Sequence, residues 1–445
     1  YRQQGELDQW LAKCPIKSYK SMVIETGQVT EEEISTMEEK IMTEIDDAFK
    51  FAKESPYIEK NIEFTRAAFG LGNMNETSYP ADPGLTSEMV SNNAKTIENI
   101  RLWDNQPLAD VYRQIQLIRP YYDFKGADVD RYLVDGEYRQ VMLAAREVAP
   151  EKLDPQAQTW INTKLRYTHG FGLAMSPVTE FTEEGRPEFF AKDIPHDGVI
   201  SVKSTVPNST PDIVVTNPRI YYGEKTTNYV IVHTNTAELD YQAEGGELKS
   251  IQYPGNGGVP LSSLLRRIFY AWQFSDINIL ISSEIFSKSR IQYRREIQER
   301  VSAITPFLLL DNDPYLVATD TQLFWVQDAY TKSDSYPYSD PHIDGFNYVR
   351  NSVKITVDAF DGKPQFYVSD PTDPLIQTYR DIFPNLFLSL EEMPLQLRTH
   401  IRYPQDLFQF QAGKYLKYHM LDSQDFYNLE DIWAIPDEKF GQGGT

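Results

Sequence analysis

The sequence of 445 residues is 41% hydrophobic and 24% charged, with 28 Tyr, 23 Phe and 27 Pro. That composition excludes a disordered chain and gives length enough for two or three domains. A formal charge of -22, from 65 acidic against 43 basic residues, argues against binding a nucleic-acid backbone, which needs a basic face. A solvated acidic surface is the expectation, with oxygen ligands on offer to a divalent cation.

Cys14 is the single cysteine, so an intrachain disulfide or a cysteine-based zinc site is ruled out. No apolar run reaches the roughly 18 residues a membrane helix needs, and no charged-then-apolar leader opens the chain. Any membrane attachment is therefore expected in a segment outside this sequence.

In chain order, GELDQWLAKCPIKSYKSMVIETG reads as two short helices broken at Pro15 and closed near Gly27. Thr30 with Glu33 forms a capping box. Ile34, Met37, Ile41, Ile45, Ala48 and Ala52 follow at three- and four-residue steps, which predicts a long helix with one apolar stripe, packed on a partner surface. Ser55-Pro56 is the expected stop, because the residue before proline avoids the helical conformation. NIEFTRAAFGLG reads as a short helix ended by glycine, and NMNETSYPADPGLTSEM as loop. PLADVYRQIQLIRPYY reads as a helix with Leu108, Val111, Ile115 and Ile118 inward.

RYLVDGEYRQVMLAAREV reads as a hairpin about Asp135-Gly136. DPQAQTWINTKLRYTHGFG predicts a helix closing in a glycine turn. Residues 195–260 are rich in Pro, Gly, Thr and Asn, with strands at RIYYGE and NYVIVHTN. SSLLRRIFYAWQF and SRIQYRREIQERVSAITPFLL read as helices. PYLVATDTQLFWVQDAYT and NSVKITVDAFDGKPQFYVSD are hairpins, the second turning at Asp361-Gly362. From Asp373 the chain is helical again through YPQDLFQFQAGKYLKYHM. Strands arriving as hairpins predict an α+β fold with antiparallel sheet.

Dinucleotide, P-loop, nucleophile-elbow and zincin motifs are absent, and GNGGVP at 255–260 has turn spacing only. THGFG places His169 on a glycine-flanked turn, a candidate for acid–base work. Asp311, Asp313, Asp334, Asp340 and Asp344 gather on turn-prone segments as calcium candidates, although the same residues cap backbone amides in ordinary turns. No cofactor is expected, calcium at these aspartates being the one alternative. RNSVK and SLLRR set cations beside apolar residues, as ion-pair partners for the acidic excess.

Two resemblances meet in this chain. The stretches PYIEKNIEFTRAAFGL, NIRLWDNQPLADVYRQIQLIRPYYDF, VDRYLVDGEYRQVMLAARE, QTWINTKLRYTHGFGLAMSPV, GGVPLSSLLRRIFYAW and HIRYPQDLFQFQA resemble the uncharacterised protein family 0182, large multipass membrane proteins with a long soluble region. Residues 1–56, with the WLAKCPI step and an acidic helix ending in FAKESP, resemble the carboxy-terminal helices of the alpha subunit of pyruvate-dehydrogenase-type 2-oxo acid dehydrogenases.

The expected division is thus a helical leader over 1–56 and a soluble region over 57–445, with 195–260 as the candidate place for a further subdivision. The first resemblance implies an extracytoplasmic region of a cell-membrane protein, tied to the membrane only through an upstream segment. It leaves three functions open. One is a binding or scaffold role towards a protein or envelope glycan, with no nucleic acid and with the leader as a packing surface. The second is an envelope hydrolase using His169 and the loop aspartates. The third is a dehydrogenase alpha-subunit fragment lacking its thiamine diphosphate site.

Overall fold

The computed structural model describes residues 15–78, 84–117, 119–134, 136–194, 200–202, 213–243 and 246–436. The first of the two leader helices, with Cys14, and Ile118 lie outside the described residues. The fold is α+β, with small, mainly antiparallel sheets. The chain separates into two compact units, one formed by Tyr1–Gly72, Ser335–Asn347 and Ala412–Thr445, the other by Asn73–Asp334 and Tyr348–Gln411.

In the smaller unit a helix runs Pro15–Glu25 and closes through Gly27 at φ 64. The long helix opens as the sequence dictates. Thr30 accepts from the Glu33 amide, and the Glu33 carboxylate accepts from the Thr30 amide at 2.8 Å. Its end is a correction: the helix spans Glu31–Ala68, passing through Pro56 to close at Phe69. Proline removes the hydrogen bond to the Ala52 carbonyl, at a residue that is itself exposed. The helix is then held beyond the proline by buried Ile62, Thr65 and Ala68. Asn61, Arg66 and Phe51 add bonds and ring contact to Tyr338, Tyr418 and Tyr427 of the same unit.

The predicted packing of the apolar stripe is also corrected. Met37, Ile41 and Ile45 are exposed, as are all residues from Glu31 to Lys50 apart from half-buried Ile34. Apart from half-buried Ile34, the stripe faces water, no surface among the described residues covering it.

The larger unit centres on a six-stranded sheet. Leu323–Ser333 and Tyr348–Asp358 pair from Phe324↔Asp358 to Ser333↔Tyr348, shifting register between Ala329 and Thr331. Tyr315–Ala318 and Leu309–Leu310 pair along the other edge of Leu323–Ser333, while Pro364–Val368 and Phe387–Ser389 extend the far side. Both faces are buried: Trp325, Val353, Ile355 and Val357 enter the main core, and Tyr315, Val317, Val326 and Tyr367 a second cluster. The Asp361-Gly362 turn forms as expected, Gly362 holding φ 67.

The first predicted hairpin pairs Asp128–Val134 with Glu137–Ala145, in register from Asp128↔Leu143 to Val134↔Glu137. Leu173–Pro177 adds a third strand.

Three helix readings change. The 105–115 helix buries Leu108, Ala109 and Tyr112 and leaves Ile115 exposed, because the Tyr112 hydroxyl is drawn inward to the Met142 carbonyl at 2.9 Å. The stretch before THGFG is a 3-10 turn at Pro155–Ala157 and a π-helical turn at Asn162–Arg166. SRIQYRREIQERVSAITPFLL splits into a strand, Arg290–Gln292, and a helix, Ile297–Ile304. Ile291 there pairs with both Ile231 and Val259, and Arg294 at φ 47 breaks the chain between the two elements.

Candidate functional site

His169 and the loop aspartates occupy quite different surroundings. Gly170 lies so close under Arg146 that a β-carbon would come within 2.2 Å of its carbonyl oxygen, which is why glycine follows the histidine. His169 is enclosed. Its ring stacks on Tyr221 with centroids 4.4 Å apart. Nδ1 faces the Thr168 hydroxyl at 2.9 Å and Nε2 the Asp240 carboxylate at 3.3 Å. Thr168 and Tyr221 donate to Glu238 at 2.6 and 2.9 Å, and Arg219 grips Asp240 through two bonds of 2.7 Å. Burial alone would raise the Asp240 carboxyl, but His169 and Arg219 hold it below its ordinary value. This is a satisfied buried network, and His169 lines none of the cavities described below.

Among the five aspartates, Asp311 is buried, accepting from the Tyr330 hydroxyl, the Asp313 amide and the Asp406 amide. Asp340 pairs with Lys414, and Asp344 is exposed beside His342. Asp311, Asp313 and Asp334 belong to the larger unit, Asp340 and Asp344 to the smaller. Among the described residues no group of three or more His, Cys, Asp or Glu side chains is placed to hold a metal ion.

Asp313 is the one of these residues that opens on a cleft. Two cavities of about 830 and 480 Å³ adjoin in the larger unit, sharing Asn105, Ala127, Asp128, Asn312 and Asp313. Asp128 begins the first strand of the hairpin and accepts from the Leu316 amide at 3.0 Å. Arg402 donates to Asp313 at 2.6 Å and to the Val129 carbonyl at 3.2 Å, and lies 3.9 Å from the centre of the Tyr315 ring. Asn312 is fixed by two bonds of 2.9 Å to Asp406. Arg131 spends its guanidinium on the Thr399 and Ile401 carbonyls, both at 2.7 Å. Tyr138 and Tyr403 stand exposed on the rim.

Electrostatics set the cleft apart. Burial, then the neighbouring Glu224 and Asp313 charges, push the Asp128 carboxyl well above the usual range. Burial raises Asp313 too, against the pull of Arg402. Glu224, bonded to Lys125 at 2.9 Å, is pushed up to about 7 by burial and by Glu147. Glu147, which accepts the Glu224 and Lys225 amides at 3.0 and 2.8 Å, also rises to about 7 through burial. Glu224, which lines the cleft, thus exchanges its proton near neutral pH, and the wall offers both donors and acceptors to a polar ligand.

Asp128, Glu224 and Arg402 were missed in the sequence reading. A signal did exist for Asp128: it alternates with Asp130 and Tyr132 along one strand, so charges recur on a single face. Of the cation-bearing motifs, RNSVK behaves as expected, Lys354 pairing with buried Asp328. SLLRR does not: Arg266 and Arg267 donate to backbone carbonyls.

Against known proteins, the model of the Uncharacterised protein family (UPF0182) matches residues 34–443. The chain belongs to the UPF0182 family. A UPF0182 protein of Pelotomaculum thermopropionicum is 50% identical over 389 residues, covering 87% of this chain and 41% of the relative. One of Synechococcus sp. (strain JA-3-3Ab) is 50% identical over 387 residues, 86% of this chain and 45% of the relative. A third, from Sulfurovum sp., is 47% identical over 397 residues, 88% and 42% respectively. The chain thus spans less than half the length of the UPF0182 relatives it matches.

A second model, Dehydrogenase E1 component, matches residues 1–61. The two matches overlap between residues 34 and 61, across Pro56 and within the one long helix. No solved structure matches the chain. No helix among the described residues is long and apolar enough to cross a membrane.

Proposed function

We propose that the chain is the extracytoplasmic ligand-binding region of a larger UPF0182 membrane protein, and that the cleft around Asp128, Asp313 and Arg402 takes a hydroxyl-rich ligand of the envelope-glycan class. The cleft carries the reading. Its walls supply planar amides and carboxylates from Asn105, Asn312 and Asp313 and a fixed cation from Arg402, with exposed Tyr138 and Tyr403 on its rim. Sugars are held by that combination: paired polar groups take vicinal hydroxyls, and aromatic faces take the C–H surface of the ring. Large cationic ligands are disfavoured by Arg402, Arg131 and Arg139, and polyanions by the acidic wall.

The extracytoplasmic placement rests on the resemblance to multipass proteins and is tested by protease shaving of intact cells. The cleft is tested by calorimetric titration of the full chain with N-acetylglucosamine oligomers and muropeptides, in the native protein and in Tyr403→Ala and Asp313→Asn. Saturable binding weakened about tenfold or more by each substitution is expected, each removing one stacking or one charge-assisted contact. Heat signals absent to millimolar ligand, or indifferent to both substitutions, refute it.

A second reading, an envelope hydrolase, is favoured by the proton-holding carboxylates Asp128 and Glu224 rather than by His169. Release of reducing ends from the same oligomers, abolished in Asp128→Asn, would distinguish it from binding alone.

A further inference from the structure

The helix Leu264–Gln273 has its polarity reversed. Its inward side carries Arg267, Tyr270 and Ala271, Arg267 donating to the Ile279, Leu280 and Ser282 carbonyls at 2.9, 2.8 and 3.1 Å. The opposite side presents Leu264, Leu265, Ile268, Phe269 and Trp272 to solvent, with Trp272 80% exposed. At about 100° per residue these five positions fall within one arc of the helix. Ile277 and Ile281, one turn apart around the adjoining Asn278–Ile281 helix, are exposed as well. An apolar face this large and continuous marks an interaction site on a folded protein.

We infer that this face docks in the interfacial layer of an anionic lipid bilayer, the helix lying in the plane of the surface. Two observations favour lipid over a protein groove. The face mixes aliphatic residues with Trp272, 80% exposed, the side chain type that settles at the headgroup boundary. Its charge is also complementary. In a chain of net charge -22 the helix Leu264–Gln273 carries no acid, the following Asp276 is taken up by Trp160, Tyr229 and Asn278, and Arg266, exposed and bonded to the Pro260 carbonyl at 3.1 Å, flanks the apolar arc where a headgroup phosphate would sit. Basic residues near an anionic surface attract it, whereas the acidic remainder is repelled. The inference goes beyond the cleft and does not depend on it, since a chain that binds no glycan can still bind vesicles.

The test is flotation of the full chain with vesicles of phosphatidylcholine alone and with 30% phosphatidylglycerol (about that fraction suffices to charge the surface), using brominated acyl chains to quench inserted tryptophan. Co-flotation with the anionic vesicles, tryptophan quenching lost in Trp272→Phe, and partitioning roughly a hundredfold weaker in Leu265→Glu/Phe269→Glu are expected. Both substituted side chains are exposed, so the melting temperature stays unchanged and misfolding does not mimic the result. Failure to float with either vesicle overturns the inference, as does flotation indifferent to the double substitution. Light scattering that shows a dimer dispersed by the double substitution, without vesicle binding, makes a second copy the occupant and overturns it too.

Discussion

Replacing Arg402 by alanine removes three interactions at once. The ion pair with Asp313 links side chains that are 22% and 38% exposed, so its full Coulomb value is cut by solvent to about 1–2 kcal/mol. Loss of the face-on contact with Tyr315 at 3.9 Å costs about 0.5–1 kcal/mol, and the bond to Val129 at 3.2 Å about 1 kcal/mol. The sum is about 3 kcal/mol at pH 8, above the value of about 7 to which Glu224 is raised, where that carboxylate faces the cleft without the Arg402 charge.

Lowering the pH to 5 carries Glu224, whose carboxyl burial raises to about 7, into its protonated form, so the repulsion fades and the loss falls to about 1–2 kcal/mol. Differential scanning calorimetry of the native and Arg402→Ala chains at both pH values reads this as a melting-temperature deficit of roughly 3–6 °C at pH 8, about half that at pH 5. An equal deficit at the two pH values would refute the electrostatic account and leave only the packing of Arg402 on Tyr315.

The native protein's own pH dependence follows from Glu147 and Glu224, whose folded pKa values near 7 exceed the ordinary carboxylate value. Between that value and about 7 the folded state binds more protons than the unfolded one, so melting temperature should fall as pH rises from 5 to 8; a rise across that window would contradict the burial of this pair. Asp373→Ala should destabilise by about 3–5 kcal/mol in chemical denaturation, because Asp373 caps the Pro374–Ile382 helix and accepts from Thr331, Tyr348 and Ser352 at 2.6–2.7 Å, orphaning buried hydroxyls when it goes; a cost under about 1 kcal/mol would show that water fills the gap. His169→Gln should lower stability by about 1–3 kcal/mol through the Asp240 and Tyr221 contacts while leaving glycan affinity unchanged, and a lost affinity would tie the buried network to the cleft.

What the residues disclosed was local chemistry. The Thr30 capping box, the Asp361-Gly362 turn and the two long strands are dictated by groups a few positions apart, and each formed where its pattern placed it. What failed depended on partners distant in sequence. Pro56 ends a helix only if nothing beyond it is buried, and Ile62 and Thr65 are. The Ile34 to Ala52 stripe predicts a core only if a surface meets it, and among the described residues none covers it. Ile291 left its helical pattern because two strands bracket it. The site followed the same rule: Asp313 was visible as a turn aspartate, but its value lies in Arg402, 89 residues away, and in Asp128, which no spacing links to it. His169 drew attention through its flanking glycines, whose role is to let a strand pass close beneath Arg146.

The unbroken helix through Pro56 also fixes phase. Because Glu31–Ala68 is one helix of 38 residues, whatever sequence occupies its first half is aimed by the second. Inserting a single residue between Phe49 and Tyr57 would rotate everything upstream by about 100° and advance it about 1.5 Å, whereas inserting seven restores the heading to within about 20°. The exposed stretch Glu31–Lys50, within the segment resembling a dehydrogenase tail, is therefore held like the hand of a clock, its direction set by residue count.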